Sequence, residues 1–305
     1  MYETFKTELL TIIRNKLVAP YKVVSYKAFK NGKEVDAFTI TKEGTEATPT
    51  FYFRNFLEDY KKGSLVADIA ENVLEMYFYA VKNSPINIDD CQDFNIQKDN
   101  ICYKVVNKEA YKNQLPSIPH IDFFDLAIIF YSILSIDEES EMSFTVTNDM
   151  LRVWNATPQE LFILATTNTP KLLPINITSL NALMFQVDIP QHETISDTID
   201  NLPFDYVYAI TNEYTKNGFS GIFYPGVLKC LGKRFGNFYL LPSSIHEALI
   251  IPEGTDMSPQ QLMEMVHGVN TEVVSPDEYL SDSVYQYSVE NDRLDAYLNT
   301  CITEK

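Results

Sequence analysis

Glycine is scarce in this chain, with 10 among 305 residues, and cysteine and tryptophan are scarcer still, at four and one. No Gly-x-Gly-x-x-Gly or Walker-type loop can be assembled from so few glycines, which removes the usual backbone cradles for nucleotide phosphates. No Gly-x-Ser-x-Gly elbow is present to expose a strained nucleophile. The cysteines, Cys91, Cys102, Cys230 and Cys301, stand far apart without a Cys-x-x-Cys pair, so free thiols are expected. His120, His192, His246 and His267 include no pair at helical ligand spacing, and Asp89, Asp90 and Asp93 lack the glycine and bidentate glutamate of a calcium loop. No metal and no cofactor is expected.

Long apolar runs are missing too. The longest, Leu126 to Tyr131, falls far short of the roughly 20 residues a membrane-spanning helix requires, and the acidic start Met1-Tyr2-Glu3 is not the basic opening of an export signal. A cytoplasmic protein with no membrane partner is the expectation. Cations run short as the chain proceeds: there are 17 Lys/Arg against 23 Asp/Glu up to Arg152, then 7 against 19, and none from Phe235 to Asp292. The net charge of −18 opposes a nucleic acid duplex, whose binding depends on neutralised phosphates.

What is present is patterned for a folded α+β chain. Phe5, Leu9, Ile12, Ile13 and Leu17 repeat at helical spacing before Pro20. Tyr21 to Lys30 and Val35 to Thr41 flank Asn31-Gly32 as a hairpin, with Thr50 to Phe53 as a third strand. Ser64 is placed to cap a helix whose inner face reads Leu65, Ile69, Val73, Met76, Tyr77 and Ala80. Strands are expected at Ile101 to Val106, Leu126 to Leu134 and Met142 to Thr147. Thr157-Pro158-Gln159-Glu160 and Ser258-Pro259-Gln260-Gln261 are capping boxes, and Pro170 is expected to end the first of these helices. After an acidic connection from Asp188 to Asp200, a hairpin of Tyr206 to Thr211 with Ser220 to Tyr224 turns around Asn217-Gly218. A helix over Val227 to Phe235 stops at Gly236, with strands at Phe238 to Leu241, His246 to Ile251, Val284 to Val289 and Leu294 to Leu298. The whole predicts two mixed halves, 1–150 and 151–305, mainly of antiparallel strands with helices packed on them.

Two groups of residues carry functional expectations. Ser243, Ser244, His246 and Glu247 supply the ingredients of an acyl-transfer site, yet on a strand Ser244 and His246 would share one face about 6.6 Å apart while Glu247 points away. A polar bend at a strand entrance is the competing reading. Tyr206, Tyr208, Tyr214, Phe219 and Tyr224 would form a partner-binding patch if they cluster on an exposed hairpin face, and core aromatics otherwise.

Five segments, Thr48 to Tyr52, Pro119 to Ala127, Tyr224-Pro225-Gly226-Val227-Leu228, Leu240 to Glu247 and Leu280-Ser281-Asp282, resemble in order an uncharacterised bacterial domain-of-unknown-function family common in gut anaerobes. The C-terminal half is similar in layout to a second uncharacterised bacterial family that carries a different tetrapeptide in place of Ser243 to His246. Neither resemblance implies an activity, a cofactor or a catalytic residue. The expectation is a non-catalytic protein-interaction or regulatory module; the alternatives are a small hydrolase or ligand-binding enzyme centred on Ser244 and His246, and acidic mimicry of DNA, which needs carboxylates spaced like phosphates.

Overall fold

The computed structural model describes residues 1–43, 48–83, 88–137, 141–254 and 257–298; the predicted thiol of Cys301 and the side chain of Asp89 lie outside them. The protein is α+β, with antiparallel sheets and helices packed on them. It divides into two compact units, Met1–Phe94 and Asn95–Lys305, so the division falls well before the expected boundary near Met150. The strands after Asn100 join the second unit because a later helix is bonded to them: Asn168 Nδ2 donates to Ile101 O at 3.1 Å and Tyr103 N to Thr169 Oγ1 at 3.1 Å.

The first unit opens with α1 (Tyr2–Lys16) and the hairpin β1 (Tyr21–Lys30) and β2 (Lys33–Lys42). Its two-residue turn has φ 47° at Asn31 and 81° at Gly32, the left-handed pair that matches strand twist. Next come β3 (Thr50–Tyr52), which pairs with β2, then α2 (Phe53–Lys61), α3 (Val66–Asn83) and α4 (Ile88–Gln92). Phe5, Leu9 and Ile13 of α1 meet Phe38 and Ile40 of β2 and Ile69, Val73 and Tyr77 of α3 in one core. Fully buried, Phe38 stacks near Phe51 and Phe53, with ring centroids at 5.4 and 4.8 Å; burying such a ring stabilises the fold by about 1.5–3 kcal/mol. The buried stripe of α3 is Val66, Ile69, Ala70, Val73 and Tyr77, whereas Leu65 and Met76, expected inside, are exposed. Asp36 of β2 gathers Lys27 at 2.7 Å, Lys6 at 2.9 Å and the Tyr2 hydroxyl at 3.1 Å. Burial alone would raise its pKa, but these three partners outweigh it and hold the carboxyl at about 2.

The second unit begins with α5 (Phe94–Gln97), β4 (Ile101–Asn107), a 3-10 turn at Leu115–Ser117, β5 (His120–Phe123), β6 (Leu126–Ile136), β7 (Glu141–Thr145) and α6 (Asn148–Trp154). β6 is central to this sheet, pairing β4, β5 and β7 antiparallel. Then follow α7 (Pro158–Leu172), β8 (Ile175–Ser179), α8 (Leu180–Phe185), α9 (Ile195–Asp200), β9 (Tyr208–Asn212), a 3-10 turn at Gly218–Phe223, α10 (Val227–Phe235), β10 (Phe238–Leu241), β11 (Ala248–Pro252), α11 (Pro259–Glu272), β12 (Val284–Ser288) and β13 (Arg293–Tyr297). Both predicted capping boxes form, Thr157 with Glu160 and Ser258 with Gln261. Pro170 does not end α7, which closes only after Leu173 N bonds Thr169 O.

The six-stranded sheet runs β13-β12-β10-β11-β9-β8. One face, with Tyr239, Leu241, Ile251 and Val284, packs on Leu262 and Val266 of α11. On the other, α10 approaches so closely that a Cβ on Gly232 would sit 2.6 Å from the ring of Tyr287. At the outer edge of β8 the Gln191 amide accepts from Ile177 N at 3.3 Å and donates to Ile177 O at 3.1 Å, completing one step of a ladder with a side chain.

Candidate functional site

The Ser243 to Glu247 segment is a bend, and β11 starts at Ala248 instead of His246. The reason is local. Ser244 Oγ accepts from the main-chain N–H of His246 at 3.0 Å, and Ser243 Oγ donates to Glu247 Oε1 at 3.2 Å, side-chain bonds that compete with a strand ladder. Ile245 N bonds Glu278 O at 2.9 Å, while Ile245 O takes Phe219 N at 3.2 Å. The bend is therefore clamped between the loop before α10 and the segment before β12. His246 Nδ1 accepts from Asn217 N at 3.3 Å, which leaves the proton of the neutral ring on Nε2, facing Glu278 Oε1 at 3.8 Å. In that state neither ring nitrogen is poised to take a serine proton. The acid beside the imidazole is Glu278; Glu247 is engaged by Ser243.

Opposite this bend, Gly218 fits where no side chain would: a Cβ there would lie 2.2 Å from His246 O and 2.4 Å from Thr211 Oγ1. The expected return strand at Ser220 to Tyr224 is instead a 3-10 turn, because β9 is already flanked by β8 and β11 and has no free edge to offer. The five candidate aromatics consequently do not share an exposed face. Tyr208, Phe219 and Tyr224 are buried, Tyr214 is half-buried, and only Tyr206 is open, at 67%. The Tyr224 hydroxyl donates to Leu173 O at 2.6 Å, and burial raises its pKa, as expected of a structural phenol.

A different polar centre joins two of the segments that carry the family resemblance. Asp125, in the two-residue turn between β5 and β6, accepts from Ser281 Oγ at 2.5 Å, Ser283 Oγ at 3.0 Å and the Tyr285 hydroxyl at 2.7 Å. Tyr285 is buried, and burial together with the Asp125 charge pushes its pKa well above the ordinary phenol value. Phe124 precedes Asp125 at φ 52°, an uncommon conformation for a bulky residue, and its ring stacks on Tyr285 at 5.8 Å. Next along the chain, buried Asp282 holds His267 Nδ1 at 2.8 Å and Asn270 Nδ2 at 2.8 Å, which ties α11 to the same segment. Asp125 also borders an open cleft of about 510 Å³ lined by Lys108, Lys112, Leu115, Pro116 and His120. Both lysines are engaged there, Lys108 with Asp122 at 2.8 Å and Lys112 with Glu109.

In the sequence, Asp125 and Ser281 stand out only as members of segments that carry the family resemblance. The signal within reach was the alternation Ser281, Ser283, Tyr285, three hydroxyls on one face of an extended run; the acceptor that they share lies 156 residues from Ser281. Among the described residues no three His, Cys, Asp or Glu side chains converge as metal ligands, and no helix is long and apolar enough to cross a membrane.

Fold and site thus define a two-unit α+β protein in whose second unit the Asp125 carboxylate ties distant segments together. The chain belongs to a family of unknown function, DUF5688, whose model matches residues 2–289. No curated protein and no solved structure matches it.

Proposed function

We propose that the protein is a non-catalytic interaction module that binds a protein partner through the surface of α8 and the loop before β9. The observation that supports this reading is the apolar exposure on these two segments: Leu183, Met184, Phe185 and Val187 at the end of α8, and Phe204 and Tyr206 in the loop before β9, at 50, 68, 74, 59, 80 and 67%. Two hydrogen bonds fasten the start of α8 to that loop, Leu180 N to Val207 O at 2.9 Å and Asn181 N to Asp205 Oδ2 at 2.8 Å, so the two apolar groups are carried on one support. Exposed apolar clusters of this kind mark partner surfaces. Tyr206, alone of the five aromatics singled out from sequence, contributes to it.

The partner's chemistry follows from the charge around the patch. From Leu172 to Thr215 the chain has no Lys or Arg and six acids, among them the exposed Asp188 and Glu193; Lys233 of α10 pairs with Asp200 at 3.2 Å and Arg234 donates to Leu202 O at 3.0 Å, which leaves the acids beside α8 in excess. A segment with apolar anchors flanked by Lys or Arg would match both features. The test is fluorescence anisotropy with a synthetic 14-residue amphipathic Leu/Lys helix. Binding should weaken as salt rises and fall at least about tenfold in Phe185→Ser/Phe204→Ser, whose stability should stay near wild type because both rings are exposed. Equal binding by that variant would refute the assignment.

A further inference from the structure

The strongest unclaimed feature lies in the first unit, whose charge differs sharply from that of the second. Residues 1–94 carry 12 Lys/Arg and 14 Asp/Glu, whereas residues 95–305 carry 12 and 28. In its three-stranded sheet, order β1-β2-β3, α1, α2 and α3 contribute to a core that includes Phe38 and Ile40. The register places those core residues opposite Ser25 and Val23, so the alternate residues form the outer face.

That outer face comprises Lys22, Val24, Tyr26, Ala28 and Lys30 of β1, Lys33, Val35, Ala37, Thr39 and Thr41 of β2, and Thr50 and Tyr52 of β3. It contains three lysines and no carboxylate, in a chain of net charge −18. Val24 and Tyr26 stand 47 and 38% exposed.

β1 is also an open edge. The two-residue turn makes Lys30 and Lys33 the closing hydrogen-bonded pair, so Ala28, Tyr26, Val24 and Lys22 face β2 and the main-chain groups of Phe29, Lys27, Ser25 and Val23 face outward. Val23 O accepts from Arg14 Nη2 at 3.5 Å. Among the described residues nothing takes the outward groups of Ser25, Lys27 and Phe29. A row of such groups is a template for one more strand.

We propose that the β1 edge receives an extended acidic segment of a protein partner as a fourth strand, with its carboxylates over Lys22, Lys30 and Lys33 and its apolar side chains against Val24 and Tyr26. The charge selects the occupant. Two β1 edges paired antiparallel would set lysine against lysine, which disfavours a second copy of this chain. An acidic strand gains main-chain bonds from the edge and ion pairs from the face. This surface is independent of the apolar patch in the second unit and has opposite selectivity, so a protein using both would bridge a basic and an acidic partner.

The experiment uses the full chain and a synthetic ten-residue peptide that alternates Glu with Val and Thr, capped at both ends, at pH 7. Amide exchange measured by NMR should slow at Ser25, Lys27 and Phe29 by at least about tenfold at saturation, while Val24, Tyr26 and Ala28, already bonded to β2, change little. Ser25→Pro removes one outward donor, and with it the Ser25 Oγ bond to Ala37 O at 3.3 Å, but leaves the main-chain ladder to β2 in place and should abolish that protection. Lys22→Glu/Lys30→Glu leaves the backbone intact and should weaken the peptide at least about tenfold while admitting the same peptide with Lys for Glu. The proposal is overturned if protection is absent or appears on the even residues, if the lysine peptide binds the wild type equally well, or if oligothymidine competes for the site.

Discussion

Removing the carboxylate of Asp125 should destabilise the second unit strongly. Three hydroxyls donate to it, and bonds to a charged acceptor contribute about 1.5–3 kcal/mol each before compensation by water. In Asp125→Ala the hydroxyls of Ser281, Ser283 and Tyr285, all three on buried residues, lose the acceptor they share. The expected loss is about 4 kcal/mol. Tyr285→Phe leaves the carboxylate with Ser281 and Ser283 and should cost about 1.5 kcal/mol. Because the two residues share one bond, the double variant should be less destabilised than the singles added together, by about 1.5–3 kcal/mol. Urea unfolding followed by fluorescence isolates the effect, since Trp154 is the only tryptophan and is buried in the second unit. For a unit of this size the Asp125→Ala midpoint should fall by roughly 1.5 M urea. A shift below about 0.3 M, or strict additivity in the cycle, would show that the hydroxyls do not depend on Asp125.

Asp36 gives a pH dependence to the first unit. Its carboxyl is held at about 2, below the ordinary 3.8, so the stabilisation is complete above pH 4 and is lost as pH falls toward 2; about 2 kcal/mol should disappear over that window. Asp36→Asn should lack this component when wild type and variant are compared by circular dichroism melts from pH 5 to 2. Gly218→Ala should destabilise by about 3 kcal/mol or more, because the atoms facing the new methyl include the His246 carbonyl and the Thr211 Cα and cannot swing away; thermal melting reads it directly. Ser244→Ala should cost about 1 kcal/mol through the lost turn bond, and Ser244→Asp, whose carboxylate can accept the same N–H, should recover most of it in the same assay.

Local chemistry was readable wherever one short stretch decides the outcome. The Asn31-Gly32 turn and both capping boxes needed only neighbouring residues, and all three formed as expected. The sequence misled where tertiary pairing decides. Asn217-Gly218 has the composition of a hairpin turn, but β9 already has two neighbours, so the chain coils into a 3-10 turn and buries Phe219 and Tyr224. At Ser243 to Glu247 the polar bend weighed from the sequence does form, the hydroxyl of Ser244 capturing a main-chain donor two residues on, and only the start of β11 moves, from His246 to Ala248. The Asp125 centre was illegible for another reason. Its hydroxyl donors and their acceptor are brought together only by the packing of two sheets, and no pattern within either segment encodes the other.

Gln191 has a consequence for how molecules of this protein meet one another. By pairing the outward groups of Ile177 with an amide borrowed from a loop, it occupies the middle of the β8 rim, where a neighbouring strand would otherwise align. Losing that amide would leave one more backbone step of β8 open to a strand from another molecule.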